Sequence, residues 1–188
     1  MKTNDNIESP ENINSQENVD ARIDSVEYLY AIVHAMKCES EDRLQDLADC
    51  LENHHNTAAE QIFRKTITLV QNSIESIENK TRDMSLPSIP PWEYQSLGLT
   101  DPDCHCMDHA HYLMNAKEAL NLAIVNEERI AYFLEQLKRH TDISIVKVAE
   151  SIVNDEKSLL AEMAEWHKDI EINEHHQSED FDPPNMPE

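Results

Sequence analysis

The sequence predicts an all-α protein, four long helices paired as two hairpins in a bundle. Three observations carry this. The 188-residue chain has one glycine, Gly98, where a sheet protein needs many for its tight turns. Its prolines sit at Pro10, between Pro87 and Pro102, and from Pro183 onward, leaving two proline-free spans, roughly 11–86 and 103–182. Each span is long enough for two helices and carries apolar residues at helical spacing.

The first helix is expected to open near Asp24 or Ser25 and to run to about Glu52. Its buried stripe reads Val26, Leu29, Val33, Met36, Leu44, Leu47 and Leu51. "ENHHNT" makes the turn, with Asn56 or Thr57 capping the second helix. That helix carries Ala59, Ile62, Phe63, Thr66, Val70, Ser73 and Ile77 on one side and fades near Lys80. A connector of about thirty residues follows, including "LPSIPPWEYQSLGLTDPDCHC". Such a length is unusual in a compact domain unless the chain must cross from one end of a bundle to the other. The third helix begins at "NAKE", where Asn115 and Glu118 have capping-box spacing, and its stripe is Leu120, Ala123, Ile124, Glu127, Ile130, Ala131, Leu134 and Leu137. Asp142 caps the fourth, with Ile145, Val148, Ala149, Ile152, Glu156, Leu159, Leu160, Met163 and Trp166.

These readings divide the chain into a disordered acidic tail over 1–23, a bundle over 24–170 with its crossover at about 82–114, and a second disordered acidic tail over 171–188. Residues 1–24 and 171–188 contribute −4 and −6 to the formal net charge of −23. The remainder is still acidic, which argues against nucleic acid, since phosphate binding requires clustered Lys and Arg. No apolar run approaches the ~20 residues of a membrane span, and "MKTNDNIESP" lacks the apolar core of a signal peptide. Four cysteines, Cys38, Cys50, Cys104 and Cys106, make no disulfide-dense framework. The expectation is a cytoplasmic protein with no membrane and no nucleic-acid partner.

Two stripes contain a residue that does not belong there. Glu127 and Glu156 both fall where their helices face the core. A lone glutamate at such a place commonly lies at the stripe's edge and reaches water. Two on consecutive helices at matching heights point instead to buried carboxylates, which need a cation or hydrogen-bond donors.

With these residues in view, "VEYLYAIVHAMKCESEDRLQDLADCLENHHNTAAEQIFRK" resembles the first hairpin of rubrerythrin-like members of the ferritin-like superfamily. "HYLMNAKEALNLAIVNEERIAYFLEQL" and the helix after it resemble the second. The resemblance spans roughly residues 25–168 and implies a ferritin-like antiparallel four-helix bundle with a long crossover between its second and third helices. It also implies a di-iron site, with one Glu from each of the first and third helices and a Glu-x-x-His from each of the second and fourth. Carried across, the first-helix position falls on Lys37, the second-helix positions on Val70 and Ser73, and the fourth-helix histidine on Leu159. Glu127 and Glu156 alone are kept. "QIFRKTITLVQNSI" holds no Asp, Glu, His or Cys, so no one-turn slip restores a ligand there, and Glu41 supplies a third carboxylate at most. The substitutions suggest a Lys37–Glu127–Glu156 ion cluster in place of the metal, with Val70 and Leu159 filling space by hydrocarbon. The bland alternative is a decayed site with Lys37 reaching outward.

A second group of ligand residues lies in the crossover, with Cys104, His105, Cys106, His109 and His111 within eight positions. C-x-C followed by H-x-H is tighter than the usual zinc spacing, so these residues read either as a zinc site or as a busy connector. The pairs His54–His55 and His175–His176 read as exposed polar residues, and Tyr28, Tyr30, Tyr132 and Phe133 as core or dimer surface. No nucleophile with its base, phosphate loop or dinucleotide fingerprint is present.

Three functions follow. The first is a non-catalytic structural or partner-binding bundle, without cofactor and, as the resemblance implies, homodimeric or bound to another protein. The second is a rubrerythrin-like oxidoreductase or iron handler with an atypical metal site at Glu127 and Glu156. The third is a metal-binding protein acting through Cys104, Cys106, His109 and His111, with zinc the natural ion.

Overall fold

A computed structural model describes residues 23–90 and 112–178, with side chains as far as 170. Four α-helices and no strand are found among them. They are α1 (Val26–Asn53), α2 (Thr57–Thr81), α3 (Ala116–Gln136) and α4 (Ile143–Ser178). A short 3-10 turn, Leu137–Arg139, continues α3 toward α4. Helix α4 runs past residue 170, where the sequence places the end of the bundle, and carries helix into the first residues assigned to the C-terminal tail.

Each helix starts on a side chain that accepts one of the first-turn amide protons the helix itself leaves unpaired. Ser25 Oγ accepts from Tyr28 N at 3.2 Å, and Asn56 Oδ1 accepts from Ala59 N at 3.3 Å. Asn115 Oδ1 accepts from Glu118 N at 2.9 Å while Glu118 Oε2 accepts from Asn115 N at 2.8 Å, a complete capping box. Asp142 Oδ1 accepts from Ser144 N at 2.7 Å, and that amide holds the Asp142 carboxyl below its usual range.

The α1–α2 turn closes without glycine. His55 takes a left-handed conformation (φ 58°), its N–H donates to Glu52 O at 3.0 Å, and Asn56 N donates to Leu51 O at 2.9 Å. This is the bond pattern that usually places glycine at the left-handed residue. Asn56 also donates from Nδ2 to Tyr112 O at 3.0 Å and to Met114 O at 2.7 Å. One side chain thus caps α2 and ties the turn to the start of α3.

The core divides into two clusters. One gathers Leu29 to Met36 of α1, Ile77 of α2, Ile130 to Leu134 of α3 and Ile145 to Val153 of α4. The other gathers Leu44 to Leu51, Ala59 to Ile74, Met114 to Ala123, and Leu159 with Met163. Helices α1 and α4 therefore pass from the first cluster to the second, and α2 and α3 pass from the second to the first. After α2, Leu86 and Ile89 still pack on the first cluster, whereas Met114 belongs to the second.

Candidate functional site

Between the two clusters lies a layer of polar side chains. Lys37 comes four residues after Val33 and seven before Leu44 on the α1 stripe. Glu127 comes four after Ala123 and three before Ile130 on α3, and Glu156 three after Val153 and three before Leu159 on α4. At 3.6 residues per turn, apolar neighbours on both sides in the sequence force all three side chains inward. None of the three exposes any surface to solvent.

The three converge on one ammonium group. Lys37 Nζ donates to Glu127 Oε2 at 2.5 Å and to Glu156 Oε2 at 2.7 Å. The second oxygen of Glu127 is also satisfied, since Ser40 Oγ donates to Oε1 at 3.1 Å and Asn126 Nδ2 donates to it at 3.2 Å. Asn126 Nδ2 also donates to Ser40 Oγ at 2.7 Å, which holds that hydroxyl in place. Glu156 has less support, because no protein donor among the described residues reaches its buried Oε1.

Charge in this layer is strongly coupled. Burial by itself would lower the pKa of Lys37, but the adjacent Glu127 and Glu156 outweigh it and hold the ammonium above its ordinary value. Burial raises the pKa of Glu156; Lys37 opposes this and Glu127 reinforces it, and the net direction is upward.

The other sequence-derived positions divide three ways. Val70 and Leu159 are buried in the second cluster and present only hydrocarbon, and Ser73 is half-buried on α2. Glu41 turns to the surface, where Gln71 Nε2 donates to it at 2.6 Å, and brings no third carboxylate inward. Cys104, His105, Cys106, His109 and His111 lie outside the described residues. Tyr30 and Phe133 are core residues, while Tyr132 is 68% exposed.

A di-iron centre does not fit this chemistry. It takes a carboxylate from each of the four helices and an imidazole from two of them. Here two carboxylates share a lysine ammonium, and the positions expected to carry imidazole are Ser73 and Leu159. Among the described residues, no group of three or more His, Cys, Asp and Glu side chains is arranged to hold a metal ion. None of the described helices is long and apolar enough to cross a membrane.

Sequence reasoning missed Ser40 and Asn126. Ser40 lies three residues after Lys37 and shares its face, and Asn126 immediately precedes Glu127, so proximity to the suspect residues was the available signal. It also missed the pairing of His34 with Cys38 and Glu78, which joins residues 44 positions apart. Comparison with family models, with curated proteins and with solved structures gives no match.

Proposed function

We propose that the protein is a ferritin-like four-helix bundle in which an internal ion cluster stands where rubrerythrin-like proteins hold two irons. On this reading it is a non-catalytic structural or partner-binding protein. The observation that carries the proposal is the Lys37 ammonium bonded to both Glu127 and Glu156 at 2.5 and 2.7 Å. An ammonium so placed supplies the positive charge that the two carboxylates require. It also takes the space into which a dication would bring its own positive charge, so the two exclude each other by repulsion.

The chain direction supports the ferritin-like topology. Since α2 ends at the first cluster and Met114 begins the approach to α3 in the second, the connection joins opposite ends of the bundle, as a long crossover does. A surface role draws support from α3, where Val125 and Tyr132 are seven residues apart on one outward face, 42% and 68% exposed. A homodimer formed through that face, or binding of another protein there, follows from this reading.

The test is iron analysis of protein purified without a histidine tag, together with sedimentation at several concentrations. Absence of bound iron and a self-associating chain are expected. Iron near two per chain overturns the reading in favour of an oxidoreductase or iron handler. One tightly held zinc that is lost on replacing Cys104 and Cys106 moves the function to the crossover.

A further inference from the structure

Along α3, Val125 and Tyr132 stand seven residues apart on the outside of the bundle, 42% and 68% exposed. Seven residues are nearly two turns, so the two side chains line up along the helix. Glu128 and Arg129 lie between them, three and four residues beyond Val125. At 3.6 residues per turn they flank the line on opposite sides, about 60° and about 40° away from it. Glu128 is exposed and Arg129 half-buried. The face therefore has an apolar centre, with a negative edge and a positive edge at nearly one height.

A second copy of the chain or a different protein could cover such a face, and its edges decide between them. When two copies set their α3 helices side by side and parallel, a twofold axis relates them. It brings the negative edge of each against the positive edge of the other, so opposite charges meet twice. In an antiparallel pair each edge meets itself, carboxylate against carboxylate and guanidinium against guanidinium. The face is thus complementary to itself in one direction only. Net charge points to the same place. At −23 per chain two copies repel each other, and close approach favours a face whose central charges cancel.

We propose that the outer face of α3 is a homodimer interface in which the two helices run parallel, Glu128 of each copy pairing with the partner's Arg129. This rests on the surface role proposed above and names its partner as a second copy. At the ~8–10 Å that separates packed helices, side chains on the flanks reach across to one another. Val125 then packs on the partner's Val125, and Tyr132 lies against the partner's Tyr132 as offset rings. About four side chains from each copy form the centre, far fewer than the ~20–30 residues of a standard interface, so the dimer is reversible and depends on concentration.

The experiment is sedimentation of the full chain over a range of concentrations, with circular dichroism to show that each variant folds. Glu128→Arg and Arg129→Glu should each weaken the dimer by about tenfold or more, because like charges then meet at both edges. An equal mixture of these two variants should associate again, since one copy now carries two positive edges and the other two negative ones. Direction is read by oxidation in a chain whose Cys38, Cys50, Cys104 and Cys106 are replaced by serine. Adding Val125→Cys alone should link two copies covalently. The proposal is overturned if the natural chain stays monomeric, if the charge variants associate as it does, or if linking requires mixing Val125→Cys with Tyr132→Cys. Two irons per chain would overturn the non-catalytic reading and leave this outer face to be judged by the charge variants. A monomer without iron would overturn the dimer and leave that reading with a different protein as partner.

Discussion

Lys37 faces two carboxylates in a place where none of the three touches water, so each ion relies on the others for the solvation it has lost. Removing the cation leaves two buried glutamates uncompensated. Lys37→Met is therefore expected to lower the free energy of unfolding by about 3–5 kcal/mol in urea denaturation at neutral pH. A loss below ~1 kcal/mol shows that the glutamates are neutral or hydrated without it. Proton affinity in the cluster gives a second expectation. Lys37 and Glu156 both hold their protons more tightly in the folded chain than the ordinary values of 10.5 and 4.5 allow. For such groups the stabilisation is complete below the unfolded value and is lost as pH rises through the folded one. Stability should thus decline in two windows, above 4.5 for Glu156 and above 10.5 for Lys37. Asp142 works in the opposite sense: its lowered carboxyl stabilises above the ordinary 3.8, and that share is lost as pH falls through its folded value. Denaturation curves across pH check the assignment, since Glu156→Gln should remove the lower window and also weaken the upper, because Glu156 helps hold the Lys37 proton; an unchanged profile assigns the slope to other groups. Lys37, Glu127 and Glu156 stood out in the sequence because a charge interrupts an apolar stripe. Ser40 and Asn126 did not, because serine and asparagine are ordinary at a helix's polar edge and only a partner from another helix gives them meaning.

Helix starts were legible because capping is local chemistry. Ser25, Asn56, Asn115 and Asp142 all accept the amide protons that their positions in the sequence suggested. What local pattern could not carry was the second use of Asn56, whose amide nitrogen bonds two carbonyls on the approach to α3. Asn115→Ala should cost about 1 kcal/mol, the ordinary loss of a cap. Asn56→Ala should cost more, about 2 kcal/mol, because two further carbonyls lose their donor. Equal losses in urea denaturation would show that the ties to Tyr112 and Met114 contribute nothing. The same turn offers an expectation of opposite sign. His55 holds a left-handed conformation that crowds its Cβ against the backbone, a strain of about 1–2 kcal/mol that glycine does not have. Glycine's greater freedom in the unfolded chain offsets part of that gain. His55→Gly should still raise the thermal midpoint, and a lowered midpoint shows that the imidazole makes a contact worth more than the strain. The sequence reading had nothing to say about this conformation, since a histidine at the turn carries none of glycine's signal. The 3-10 turn at Leu137–Arg139 and the reach of α4 to Ser178 escaped for a related reason: neither changes the stripe that periodicity detects.

At the scale of the whole molecule, the ion layer does what two hydrophobic clusters cannot do alone. Apolar faces tolerate sliding by a turn, because one leucine packs about as well as the next. A lysine that must meet two glutamates from different helices admits one alignment of α1 against α3 and α4, the alignment at which the first cluster ends and the second begins. Four helices and their order could be read from prolines and stripes, which are properties of each segment separately. Alignment is a property of pairs, and sequence showed it only through the matching heights of two misplaced glutamates. If the layer acts mainly on alignment, replacing all three ions with hydrocarbon should undo the damage of replacing one. The triple variant Lys37→Met, Glu127→Leu, Glu156→Leu is expected to unfold at least as late in urea as the natural chain, and by analogy with other buried ion clusters to gain about 1–4 kcal/mol. Its cost should fall on uniqueness instead, seen as broadened or doubled backbone resonances from helices no longer held to one register. A triple variant as unstable as Lys37→Met alone would assign the layer's contribution to packing and hydrogen bonds. A triple variant that is both stable and sharply resolved would show that the two clusters set the register without it.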